Sequence, residues 1–179
     1  AICQGFLNEG AQVVACGRRS PEEPIGDGSE KAEFFPADLR DPDASKSLVD
    51  FALERFGRID ILINNAGIGA GSPIGPNSAD EWHETIDATL QTSIAVTGAA
   101  WPHLVERGGG RIVVTGSPAM FGASTTIPYS ATKSSMYGFA RSIAAAGRRH
   151  GIVANNVMPS AYTRLTRSLP PGPMASLFA

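Results

Sequence analysis

Apolar residues along the chain fall into short unbroken runs and longer stretches where they recur every three or four positions. The opening "AICQGFLNEG" is of the second kind: Ile2, Phe6 and Leu7 share one helical face, and Gly10 can end the helix in a left-handed conformation. "AQVVACG" is a β-branched run that reads as a strand ended by Gly17, followed by a Pro-, Gly- and Glu-rich loop from Arg18 to Lys31. "AEFFPADL" is a weaker strand. "DPDASKSLVDFALERFG" is a helix with Leu48, Phe51 and Ala52 on one side and Gly57 as its stop. "RIDILINN" is a continuous apolar strand leading into a Gly/Pro-rich loop, Ala66 to Asn77. Ser78 and Glu81 form a capping box that predicts a long helix towards Arg107, with Pro102 expected to kink it or end its regular part. "GGGRIVVTGS" is a turn and a strand, Tyr129 to about His150 a helix, and "GIVANNVMP" a last strand.

Strands that alternate with helices, and that are apolar runs rather than alternating patterns, specify a parallel sheet covered on both faces. The expected fold is α/β: a doubly wound, Rossmann-like sheet in three αβα layers. The 179 residues suffice for one domain, 1–179, with a substantial core. The chain opens without Met and already inside a helical pattern, and it closes on the loop-like "PGPMASLFA", so a piece of a longer chain is expected.

Composition removes whole classes of function. At 42% hydrophobic and 18% charged residues the chain has the balance of a soluble domain, and a net charge of −2 gives no electrostatic reason to expect nucleic acid or an anionic membrane as partner. No apolar stretch reaches membrane-spanning length, and no signal-peptide pattern opens the chain. Two isolated cysteines, Cys3 and Cys16, fit a reducing compartment, and a cytoplasmic location is expected. His83, His103 and His150 have no metal-ligand spacing, so no metal site is expected.

Phosphate-binding motifs are not evident. There is no G-x-x-x-x-G-K-[ST] string, and "AGIGAGS" has Ser72 where a dinucleotide fingerprint needs glycine. The chemistry concentrates in "PYSATKSS", Pro128 to Ser135. Ser130 and Lys133 match the S-x-x-K of acyl-serine enzymes, but the companion S-D-N and K-T-G elements are absent. Tyr129 and Lys133 stand at i and i+4, one turn apart on one helical face. A nearby ammonium stabilises a phenolate, which makes such a pair a proton-transfer device. By itself Y-x-x-x-K is equally an ordinary exposed helix pair. Ser117, just after a strand and twelve residues before Tyr129, can return beside it to hold a reacting oxygen.

Taken together, "NNAG" at Asn64–Gly67, "GRIVVTGS", "YSATK" and "NNVMPSAYT" resemble the short-chain dehydrogenase/reductase family, in its order and at nearly its spacings. The resemblance implies that Tyr129 is the proton donor and acceptor, Ser117 the substrate-oxygen anchor, and Lys133 the group that lowers the tyrosine pKa and holds the nicotinamide ribose. It also implies that Asp38 contacts the adenine with Leu39 beside it, and that Asn65, Ala66 and Gly67 lie against the adenosine ribose. Pro159 and Thr163 would pack on the nicotinamide and bind its carboxamide. The substrate class it implies is a small alcohol or ketone, and "PSAYTRLT" is closest to hydroxyacyl-thioester and ketoacyl reductase-like members.

Cofactor choice is read at Gly17-Arg18-Arg19, where NAD-selective relatives place a carboxylate; Arg18 there favours NADP, with NAD as the alternative. Three departures stand out. The first strand and Gly-rich turn would precede Ala1. Thr89 takes the place of the Asn that supports a proton relay behind the lysine. Ser160 replaces a Gly, and the Ser117–Tyr129 interval is one residue short. The alternative to an oxidoreductase is therefore a non-catalytic member with a structural or assembly role. The resemblance further implies a homodimer or homotetramer built through the two long helices.

Overall fold

The computed structural model describes residues 1–26, 31–69 and 79–159. All five strands among them are parallel. β1 (Val13–Gly17) pairs with β2 (Ala32–Pro36) in the register Val13↔Ala32 to Gly17↔Pro36. β3 (Ile61–Asn64), β4 (Gly110–Thr115) and β5 (Ile152–Val157) form a second sheet in the order β3-β4-β5. Among the described residues β1 pairs only with β2 and β3 only with β4, so each keeps one backbone edge outside any ladder.

Glycine sets the helix ends where the chain must reverse. α1 (Ile2–Asn8) closes with Gly10 at φ 82°, Gly10 N–H donating to Leu7 O and Ala11 N–H to Phe6 O. This pair of bonds satisfies carbonyls that the helix itself leaves open. α2 (Ala44–Phe56) ends at Gly57, φ 75°, as its sequence predicts. Its inward face centres on the buried Ser45 and Val49, one position round from the expected Leu48, Phe51 and Ala52, which are half-buried.

The predicted long helix is present but not uniform. α3 (Ala79–Ile86) passes into a π-helical segment, Asp87–Gln91, and then into α4 (Thr92–Glu106). Hydroxyls compete for its carbonyls: Thr85 donates to Glu81 O, Thr92 to Ala88 O and Thr89 O, and Ser93 to Thr89 O. Pro102 does not end the helix, and α4 runs on to Glu106. Proline removes one N–H there, but the last turn is closed beyond it by Gly108 N–H to Val105 O and Gly109 N–H to Leu104 O. The capping residue Ser78 lies outside the described residues.

α5 (Ile127–Gly147) continues as a short 3₁₀ turn, Arg148–His150, and returns into β5. α4 and α5 cover one face of β3–β5. Leu104 from α4, Ile112 and Val114 from β4, Met136 and Ala140 from α5, and Ile152 from β5 form one buried cluster. Burying side chains of this kind stabilises by about 1.5–3 kcal/mol each and seats α5 firmly on the sheet. The opposite face of β5 presents Val153 and Val157, both exposed. No helix among the described residues is long and apolar enough to cross a membrane.

Candidate active site

The carboxyl end of β4 and the start of α5 carry Ser117, Tyr129 and Lys133. Pro128 occupies the first turn of α5, where its missing N–H costs nothing, and Tyr129 follows it. Lys133, one turn on, is only 5% exposed, and its Nζ lies 5.8 Å from the centre of the Tyr129 ring. The same Nζ donates to the main-chain carbonyl of Thr115 at 2.8 Å. Burial pushes the Lys133 ammonium below its ordinary pKa.

Ser117 caps a 3₁₀ turn, Pro118–Phe121, with its Oγ accepting from Ala119 N–H at 3.2 Å. That bond engages an oxygen lone pair and leaves the hydroxyl proton to donate elsewhere. The turn packs against α5, and Ser134 from that helix donates to Met120 O at 2.7 Å. The return of the chain from Ser117 to the start of α5 is therefore fixed at both ends.

A cavity of about 220 Å³ opens at the carboxyl ends of β1 and β2, walled by the loop after β3 and by the α3–α4 helix. Its lining includes Arg18, Asp38, Leu39, Ala66 and Gly67, five of the residues singled out in the sequence for cofactor contact. Asn65 is not in that lining. Its Oδ1 instead accepts from Thr115 Oγ1 at 3.1 Å. Pro159 is exposed just after β5, and Thr163 lies outside the described residues.

Arg40 also lines the cavity and is one that sequence reasoning missed, although it stands two residues from Asp38 in "DLR". Its Nε and Nη2 grip the Asp38 carboxylate at 3.0 and 2.5 Å. Those hydrogen bonds, with a smaller contribution from the charge of Arg18, hold the Asp38 carboxyl down at about 2.

Thr89 is fully buried in the π-helical segment, and its Oγ1 has no hydrogen-bond partner among the described residues. It faces the loop after β3, since a Cβ placed on Gly67 would lie 3.0 Å from that oxygen. Glycine at 67 is what lets the loop approach this helix. No group of three or more His, Cys, Asp or Glu side chains suited to a metal occurs among the described residues.

The sequence and fold have relatives among known proteins. Residues 1–171 match the short chain dehydrogenase family. The chain is 32% identical to peroxisomal multifunctional enzyme type 2 of Mus musculus across 96% of its own length, which is 25% of that protein. Against an acetoacetyl-CoA reductase of Cupriavidus necator it is 32% identical, covering 89% of this chain and 68% of the relative. A gluconate 5-dehydrogenase from Burkholderia cenocepacia, solved with NADP and tartrate, superposes with a TM-score of 0.82 at 29% identity over 93% of this chain and 69% of that one. With parallel strands, a serine after β4 and a Tyr–Lys pair opening the helix before β5, the chain belongs to the short-chain dehydrogenase family.

Proposed function

We propose that the protein interconverts an alcohol and a ketone, with a 3-ketoacyl or 3-hydroxyacyl thioester as the substrate class and NADP(H) as the cofactor. The observation that carries this reading is the buried Lys133 beside the Tyr129 ring, hydrogen-bonded to the Thr115 carbonyl two residues before Ser117. Relatives named as acetoacetyl-CoA reductases support the thioester class.

The cavity at β1 and β2 fits the adenosine end of a dinucleotide. It is concave, has Gly17 and Gly67 in its lining, and offers the cationic Arg18 and Arg40 and the anionic Asp38 and Glu84. Arg18 would hold a 2′-phosphate there by charge-assisted hydrogen bonds, with Asp38 and Leu39 beside the adenine and Asn65, Ala66 and Gly67 along the ribose. Lys133, Pro159 and Thr163 would hold the nicotinamide half. When bound, NADP(H) supplies or accepts the hydride.

The chain's own residues then handle the oxygen and its proton. Ser117 donates its hydroxyl hydrogen bond to the substrate oxygen and fixes it beside Tyr129. In the reducing direction Tyr129 gives its proton to that oxygen, and in the oxidising direction it takes the proton back. The Lys133 ammonium stabilises the phenolate left behind. Thr89 offers a hydroxyl for returning a proton from solvent. Self-association through the two long helices fits the exposed Ile94 and Tyr137 on α4 and α5.

The test is a substrate series on the full-length protein, following loss of NADPH with 3-ketoacyl thioesters and with simple ketones. Faster turnover of the thioesters is expected. A preference for simple ketones would remove the substrate class, and turnover of neither would remove the enzymatic reading.

A further inference from the structure

Thr115 makes two contacts that join opposite ends of the site. Its main-chain carbonyl accepts the Lys133 ammonium at 2.8 Å, and its hydroxyl donates to Asn65 Oδ1 at 3.1 Å. The first contact reaches the proton-transfer residues on α5. The second reaches the loop that leads from β3 into the adenosine-side cavity.

Strand geometry explains why both contacts exist. The β3–β4 ladder runs from Ile61↔Arg111 to Asn64↔Val114, so Asn65 opposite Thr115 would be its next rung. Asn65 does not continue the ladder: its N–H turns back to Ile63 O at 3.1 Å. The following residue of β4, Gly116, donates towards β5, to Val157 O at 2.8 Å. Successive peptide groups of a strand point to alternate sides, so Thr115 faces the side that β3 has left. Its carbonyl is thereby open to Lys133, and its side chain replaces the missing rung with the bond to Asn65.

We propose that Thr115 is a positioning residue, which couples the Asn65 loop to Lys133 by holding the end of β4 in one orientation. This role rests on the proposed dehydrogenase site and adds to it a residue that touches neither substrate nor the reacting atoms. The hydroxyl is the working group, because it is the part of Thr115 that reaches Asn65.

The test uses Thr115→Val and Thr115→Ser in the full-length protein. One hydrogen bond of this kind corresponds to a loss of about 2–10-fold in NADPH affinity for Thr115→Val, with Thr115→Ser close to wild type. Because the effect passes through Asn65, adding Thr115→Val to Asn65→Ala should cause no further loss, whereas two fully additive losses would overturn the coupling. A readout without cofactor separates this proposal from the reading of the site. The Lys133 ¹⁵N ammonium resonance of the free protein should move in Thr115→Val and stay in place in Thr115→Ser. Movement there in a protein that binds no NADPH would uphold the coupling while removing the site reading. An unmoved resonance in Thr115→Val would overturn the coupling whatever the cofactor result.

Discussion

Replacing Thr89 by valine sets packing against chemistry at a single atom. Thr89 Oγ1 is buried and has no hydrogen-bond partner among the described residues, in a segment already distorted to a π-helix. An unsatisfied buried hydroxyl costs about 1–3 kcal/mol, and valine fills nearly the same volume without that group. Thr89→Val should therefore stabilise the fold by about 1 kcal/mol, or raise Tm by about 2–4 °C for a chain of this size. The proposed relay role predicts the opposite effect on turnover: kcat should fall about tenfold, equivalent to roughly 1.4 kcal/mol of barrier, and Thr89→Ser should restore it. Paired thermal unfolding and steady-state kinetics read both quantities on the same samples. A Thr89→Val protein that is destabilised by 1 kcal/mol or so would show that the hydroxyl is satisfied in the fold. A stabilised protein with unchanged kcat would remove Thr89 from proton transfer.

Further outcomes follow from the cavity at the ends of β1 and β2. Arg18→Asp should raise KM for NADPH far more than for NADH, and equal changes for both would mean that Arg18 does not read the 2′-phosphate. Arg40→Gln should return the Asp38 carboxyl from about 2 towards its ordinary range, as followed by carboxyl ¹³C NMR. Because the folded-state value is depressed, the stability that Asp38 contributes is present above about pH 4 and lost as pH falls through about 2. Arg40→Gln should flatten that acid limb, and an unchanged limb would show that Arg40 is not the cause.

Much of the fold was legible because its signals are local. The strands are continuous apolar runs, and Gly10 and Gly57 end their helices where a left-handed turn is required. The placement of Tyr129 and Lys133 one helical turn apart, and of Ser117 just after a strand, was legible through spacing, while their roles came from the family resemblance. The π-helical segment was not legible, because a single turn of i→i+5 bonding is too short to stand out in an apolar pattern read along a long helix. Its signal was the hydroxyl-rich "TIDATLQTS", whose side chains bond to backbone carbonyls. Pro102 does not end its helix because the effect of one missing N–H depends on how the next turn closes. Thr115 was hidden for a different reason: it meets Lys133 through its own main-chain carbonyl, which no residue type advertises.

The role of Tyr129 is the point on which the account depends most. Tyr129→Phe keeps the ring beside Lys133 and removes only the hydroxyl that moves the proton. Cofactor binding and NADPH-dependent carbonyl reduction should be measured together on this variant of the full-length protein. The account predicts NADPH affinity close to wild type with carbonyl reduction abolished; reduction retained at a wild-type rate would contradict it.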